Sequence, residues 1–415
     1  MTAVDYEHAP WLISVDDHVT EPPDVWTARL ASRFLDKAPH VVRDRATVTL
    51  DGAYPVVTRG ARDGRWADFW VYEDVVSPVL AITNSTGYDE VELKMALAES
   101  RLVTYDEIAP GCWQQESRLL DMSRNRVEAS LCFPNILPRF CGQTFFEKGD
   151  RDLGLACIRA YNDWMVDEWC AGAGHGRLIP LTLIPLWDAQ LAANEVHRCA
   201  AKGAHAISFC ENPTELGLPS FYEVPGYWDP LFRACQETET VINLHIGSSS
   251  RLPTTSANAP YAVTSILMFQ NSMAAVLDIV FSGTLDRFPS LRFALSEGQI
   301  GWLPYLVARA DRVWADPHDG GAGIRIPKPP STYVADHIYG CIFDDDTALR
   351  CRDLIGTGQI MFEVDYPHAA GSFPQTAERA VEMCRSAGLS DEERYRVMRG
   401  NAIHAFGLER FGILQ

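Results

Sequence analysis

Eight short apolar runs, spaced along the chain with helix-like segments between them, limit what this sequence can fold into. They are WLISVDDH (11–18), ASLCFPN (129–135), RLIPLTLIPL (177–186), AHAISFC (204–210), TVINLHIG (240–247), LRFALSE (291–297), HIYGCIFD (337–344) and QIMFEVDYP (359–367). Most are nearly continuous in apolar residues rather than alternating. Strands buried on both faces read this way, and burial on both faces implies a parallel sheet. Segments 153–170, 189–203, 265–288, 301–314, 374–388 and 390–408 carry apolar residues at helical spacing. Eight strands separated by helices predict an α/β chain folded as a single (β/α)8 barrel over residues 1–415.

One interval breaks the rhythm. Residues 19–115 contain no clear strand–helix unit and are rich in Trp, Tyr, Pro and Asp, as in PPDVW and GRWADFWVYEDVV. A structureless loop of that length is implausible in a compact domain. The expectation is an insertion after strand 1 that folds over the C-terminal mouth of the barrel, where such enzymes place their active sites.

Charge narrows the partners. Lys plus Arg number 36 against 55 Asp plus Glu, a formal charge of −19. That argues against nucleic acid or an anionic membrane, both of which need a basic face, and leaves a small-molecule substrate. No run of eighteen apolar residues is expected to span a membrane, and the first residues, MTAVDYEHAPW, lack the pattern of a signal peptide. The eleven Cys form no CxxC pair, so they read as buried thiols in a reducing cytoplasm.

Polar residues at the ends of the apolar runs are the candidates for chemistry. Strand 1 ends in Asp16, Asp17 and His18, strand 5 in His245, strand 6 in Glu297, and strand 8 in Asp365 followed by Tyr366, Pro367 and His368. Period-two alternation sets Asp16 and His18 on one face. Two imidazoles and two carboxylates, from Asp16, His18, His245 and Asp365, can hold one divalent transition metal, Zn or Mn. Asp365 is then both ligand and proton carrier, with His245 and Glu297 beside it in the catalytic set. Arg139, just past strand 2, is placed to meet a substrate. Trp66 and Trp70 in the insertion are read as an aromatic wall for a ring-bearing substrate, and His368 as a further contact.

The stretches VDDHVTEPPDVW, DMSRNRVEASLCFPN, NLHIG, SEGQIGWLPYLVARAD, FEVDYPH and RGNAIHAFGL occur in an order and spacing that resemble the amidohydrolase superfamily, in its family 2 branch. The resemblance implies a distorted TIM barrel with one metal, and a homodimer. It also implies metal-dependent hydrolysis or aromatic-acid decarboxylation. By position, Asp16 and His18 match the two strand-1 ligands, His245 the strand-5 ligand, and Asp365 the strand-8 Asp that binds metal and moves protons. Two departures stand out. Strand 1 reads Asp-x-His, and an anionic oxygen ligand favours a harder ion such as Mn. Strand 6 carries Glu297 where the branch's decarboxylases have His, which resembles its C–C-bond hydrolases. Hydrolysis is therefore the leading expectation, decarboxylation the second, and a catalytically silent binding barrel the third.

Overall fold

The computed structural model describes residues 10–51, 54–316, 318 and 326–414. Residues 1–9, part of the stretch read for targeting, lie outside them. The first barrel strand, β1 (Leu12–Val19), is buried along its whole length. A four-stranded antiparallel sheet follows, β2 (His40–Asp51), β3 (Tyr54–Arg59), β4 (Arg65–Tyr72) and β5 (Val75–Pro78), in the order β3-β2-β4-β5. The remaining barrel strands are β6 (Val127–Pro134), β7 (Leu178–Ile179), β8 (Ala206–Phe209), β9 (Val241–His245), β10 (Phe293–Ser296), β11 (Ile338–Ile342) and β12 (Ile360–Phe362). Each of the eight apolar runs contains or overlaps one of these strands.

All described pairings between barrel strands are parallel. They form one group β1-β6-β7 and another β12-β11-β10-β9-β8. Two seams join the groups. A parallel bridge pairs Thr182 with Ile207. On the other side the chain beyond β12 runs along β1: the Asp365 N–H donates to the Asp16 carbonyl at 3.0 Å, and the His18 N–H donates to the Tyr366 carbonyl at 2.6 Å. β1 holds one residue more than β6 between Ser14 and Asp17, because Ser14 pairs with Ser130 but Asp17 with Cys132. Such a bulge re-aims side chains and is common beside active sites.

Ile13, Val15, Ala129, Leu131, Leu181, Val241, Cys341 and Met361 fill the barrel interior. Ile403, Phe406 and Leu408 join that cluster from the C-terminal segment. They meet residues near the strand starts, so this segment closes the N-terminal end and leaves the opposite mouth for chemistry. Tyr261–Phe281 is by composition long and apolar enough to cross a bilayer, an exception to the sequence expectation. Its second part, Phe269–Phe281, buries Asn271, Ser272, Ala275, Val276, Ile279 and Val280 on one face.

The described residues of the insertion carry regular structure. A two-residue turn, Glu73-Asp74, joins β4 to β5, and the helix Glu90–Glu99 starts with a capping box between Asp89 and Glu92. Trp70 of β4 is fully buried, edge-to-face with Trp26 at 4.9 Å, and its indole N–H donates to the Tyr105 hydroxyl.

Candidate metal centre

Each side chain in the centre leaves the C-terminal end of a strand. Asp16 and His18 come from the bulged end of β1, His245 is the last residue of β9, Glu297 follows β10, and Asp365 and His368 follow β12. Glu297 and Asp365 both adopt left-handed backbone, with φ of 52° and 57°. That conformation is rare for non-glycine residues and here turns each carboxylate into the mouth.

The donor atoms converge. Nε2 of His18 and Nε2 of His245 face each other at 3.2 Å. Nε2 of His18 lies 3.6 Å from Asp16 Oδ1, 3.5 Å from Glu297 Oε1 and 3.6 Å from Asp365 Oδ1. Nε2 of His245 lies 3.6 Å from Asp16 Oδ2 and 3.4 Å from Glu297 Oε1. Two ligand atoms each about 2.1 Å from one ion, at bond angles near 100–120°, are roughly 3.2–3.6 Å apart. Two overlapping groups that share His18, Asp16–His18–His245 and His18–Glu297–Asp365–His368, therefore have the spacing to hold a transition-metal ion.

The partners behind these atoms agree. The Nδ1 atoms of His18 and His245 face backbone carbonyls, Pro134 O at 3.2 Å and Ile246 O at 2.7 Å. Each ring thus donates through Nδ1 and turns a bare Nε2 lone pair inward, the usual support of a metal-binding histidine. Both oxygens of buried Asp16, and Glu297 Oε1, have no hydrogen-bond partner among the described residues. Buried carboxylate oxygens left unpaired are costly, and a cation at the centre would satisfy them.

Charge coupling in the centre is strong. Burial pushes Asp16 well above the usual carboxylate range, and Glu363, Glu297 and Asp365 add to the push. Burial, with the charge of Glu297, raises Asp365 to about 8. Glu297 is held well below its usual value, because His245 and hydrogen bonds from the imidazoles outweigh its burial. Burial, with His368 adding to it, lowers His18 to about 3. Burial also opposes the charge on His368, but Asp365 and Glu297 prevail and raise it to about 10.

The remaining candidates divide. His368 belongs to the centre: its Nδ1 is 2.8 Å from Asp365 Oδ1 and its ring stacks on His18 at 3.9 Å. Arg139 sits at the rim, bonded to Glu147 and to Ser250 of the loop after β9. Trp66 and Trp70 need correction. Trp66 is half exposed on the inserted sheet beneath the Arg45 guanidinium, and Trp70 is locked in the core. The rings that touch the centre are Phe140, stacked on His245 at 4.0 Å, and Phe133, edge-on to it at 4.9 Å.

Several residues escaped the sequence reading. Glu363, two positions before Asp365, is fully buried and accepts the Glu297 N–H; period-two alternation from Asp365 pointed to it. Asp17, named with the end of strand 1, instead faces away from the centre and ties the seam, accepting from Ser14, Ser130 and the Tyr366 N–H. Glu211, just past β8, accepts the Gly247 N–H and so braces the loop after His245. The rule used for the other strands, a polar residue ending an apolar run, would have found it. Arg118 is buried, donating to the Gly111 and His18 carbonyls with its guanidinium over the Tyr366 ring.

The family model of amidohydrolase family 2, described as amidohydrolase, matches residues 66–408. The chain belongs to the amidohydrolase family. The matched residues of this amidohydrolase leave out β1, so Asp16 and His18 lie outside them. No curated protein matches it in sequence. Among solved structures it is similar to an amidohydrolase from Mycobacterium avium subsp. paratuberculosis, with TM-score 0.69, 19% identity, and coverage of 96% of this chain and 99% of that one. A 5-carboxyvanillate decarboxylase from Novosphingobium aromaticivorans, complexed with manganese and 4-hydroxy-3-methoxy-5-nitrobenzoic acid, has TM-score 0.61 at 15% identity, covering 97% of each chain. A 2,6-dihydroxybenzoate decarboxylase from Rhizobium has TM-score 0.56 at 18% identity, covering 79% of this chain and 95% of that one. At these identities the likeness is one of fold, the TIM barrel.

Proposed function

We propose that this amidohydrolase is a metal-dependent hydrolase of a small, ring-bearing substrate that presents an uncharged carbonyl group. The observation that carries this reading is Glu297, whose carboxylate lies within 3.5 Å of both ligand imidazoles. With Asp16 and Asp365 it gives three carboxylates within 3.6 Å of His18 Nε2, and Glu363 is buried behind Glu297, accepting its N–H. A further carboxylate, which a decarboxylase substrate must bring, adds a fourth anionic group against the ion and the charged His368. An uncharged carbonyl does not. Phe133 and Phe140 offer apolar ring surface beside His245.

Asp16, His18, His245, Glu297 and Asp365 would hold the ion, and the oxygen-rich set favours Mn over Zn. When bound, the ion supplies Lewis-acid polarisation of the carbonyl and acidifies water. Asp365 takes the proton of the attacking water and delivers it to the leaving atom, so one water is added across the broken bond. His368, its Nδ1 2.8 Å away, orients the Asp365 carboxyl for the transfer. Residues 19–115 would form one wall of the mouth. Supporting this, the Ser85 N–H and hydroxyl donate to the Pro367 carbonyl, and the Ala369 N–H donates to the Ile82 carbonyl.

A second reading, decarboxylation, has one observation in its favour. An Asp365 carboxyl raised to about 8 keeps a proton at neutral pH that a ring carbon could take. Incubation of Mn- and Zn-loaded protein with aryl esters, anilides, β-diketones and hydroxybenzoates in 18O-labelled water separates the two. Label in the acid product of an uncharged substrate, lost in Asp365→Asn, is the expected result. Release of CO2 from a hydroxybenzoate, with no turnover of uncharged substrates, overturns it.

A further inference from the structure

Asn135, the first residue past β6, sits at the junction of three parts of the molecule. Its backbone N–H donates to Glu21 Oε1 at 2.8 Å. Its amide Nδ2 donates to Thr20 Oγ1 at 2.7 Å, at the exit of β1, and to the Thr83 carbonyl at 2.9 Å, in the insertion. Its Oδ1 faces Nε2 of His368 at 3.0 Å. The side chain is nearly buried, so each of these contacts counts.

We propose that Asn135 is a positioning residue that locks His368 in one orientation and one role. Rotating the amide by half a turn would set its oxygen against the Thr83 carbonyl, acceptor against acceptor. The carbonyl therefore fixes the NH2 group, and with it the oxygen that meets His368. An acceptor at that point requires a hydrogen on Nε2. Nδ1 is then the ring nitrogen that faces Asp365 Oδ1, at 2.8 Å, so the ring orientation is fixed from both ends. The Thr83 carbonyl of the insertion thus acts on His368 through Asn135, beside the insertion's direct bonds to Pro367 and Ala369. Thr20 reinforces the arrangement, since its hydroxyl donates to Asn84 Oδ1 and so presents its oxygen to Asn135. The inference holds for hydrolysis and decarboxylation alike, because both use Asp365 as the proton carrier.

The test is spectroscopic and needs no substrate. The full-length chain is labelled with 15N-histidine, and long-range 15N–1H spectra are recorded metal-free and with zinc, His368 being assigned by the signal lost in His368→Gln. Expected in the wild type is a His368 ring protonated at Nε2 whose hydrogen exchanges slowly with water. Asn135→Ala should lose that protection, with exchange faster by about tenfold or more. Asn135→Asp, which keeps the acceptor, should retain the Nε2–H state. An unprotonated Nε2 in the wild type, or unchanged exchange in Asn135→Ala, overturns the proposal. So does loss of zinc by Asn135→Ala in equilibrium dialysis, which would mark Asn135 as a support of the whole centre. If Asn135→Ala does not fold, the wild type and Asn135→Asp decide. A wild type that binds no zinc would sink the metal reading and leave the metal-free spectra as the test of Asn135.

Discussion

Asp16→Asn should change stability in opposite directions with and without metal. Burial and the neighbouring carboxylates raise the Asp16 carboxyl well above its usual range. The folded, metal-free chain therefore favours the neutral acid, and ionised Asp16 costs stability at every pH above the ordinary carboxylate value. That cost grows as pH rises towards the raised value. Asn removes the charge, so the metal-free variant should melt higher than the wild type at pH 7.5. Metal reverses the order. An ion at one hundred times its Kd stabilises the wild type by about 2.7 kcal/mol. For 415 residues an unfolding entropy near 2.1 cal/mol/K per residue gives about 0.9 kcal/mol/K, so the gain in Tm is about 3 °C. If the loss of one anionic ligand weakens binding about a hundredfold, the gain at the same metal concentration falls to roughly 0.5 °C. Calorimetry after chelation, with and without added Mn or Zn, reads both effects. A metal-free Asp16→Asn that melts below the wild type, or an undiminished metal gain, would refute the placement of Asp16 among unpaired charges at a cation site.

Three further outcomes follow from the packing. Trp70→Ala should cost about 3–5 kcal/mol in denaturant unfolding, as expected for a fully buried ring, whereas half-exposed Trp66→Ala should stay below about 1 kcal/mol. Arg118→Met should cost about 3–5 kcal/mol, because it strands buried Asp17 and the His18 and Gly111 carbonyls; a near-neutral result would show that the methionine satisfies the pocket. Burial raises Glu21 to about 7 against the N–H groups that hold it down. Its ionisation therefore removes stability as pH climbs from about 4.5 to 7, and Glu21→Gln should flatten that part of the pH–stability profile in urea titrations.

The strands were legible in the sequence for a physical reason. A barrel strand touches the interior on one face and helices on the other, so it shows apolar character at nearly every position, as in the leucine-rich run 177–186, and little else produces such runs. His245 and Asp365 were legible because polar residues that end such runs have one mouth to point into. The inserted sheet was hidden because it is wet on one side: VVRDRATVTL alternates, and alternation over so few residues is easily lost among Trp, Arg and Asp. Trp66 and Trp70 were misplaced because a tryptophan in a segment of unknown fold says only that it will be covered by something. Asn135 and Glu211 also end or follow apolar runs, but what they do was hidden for a different reason. Their importance lies in which distant backbone groups they reach, such as Thr83 O and Gly247 N, and that is a property of three-dimensional closure.

Left-handed backbone at Glu297 and Asp365 has a consequence for descent. At φ near 50–60° a glycine is more comfortable than any acid by roughly 1 kcal/mol, so an acid at each of these two positions stands against a local conformational gain. A descendant barrel released from its chemistry should drift to glycine or asparagine there while its eight apolar runs persist. The pair of codons, read across related genomes, would then mark where the family's active and silent branches part.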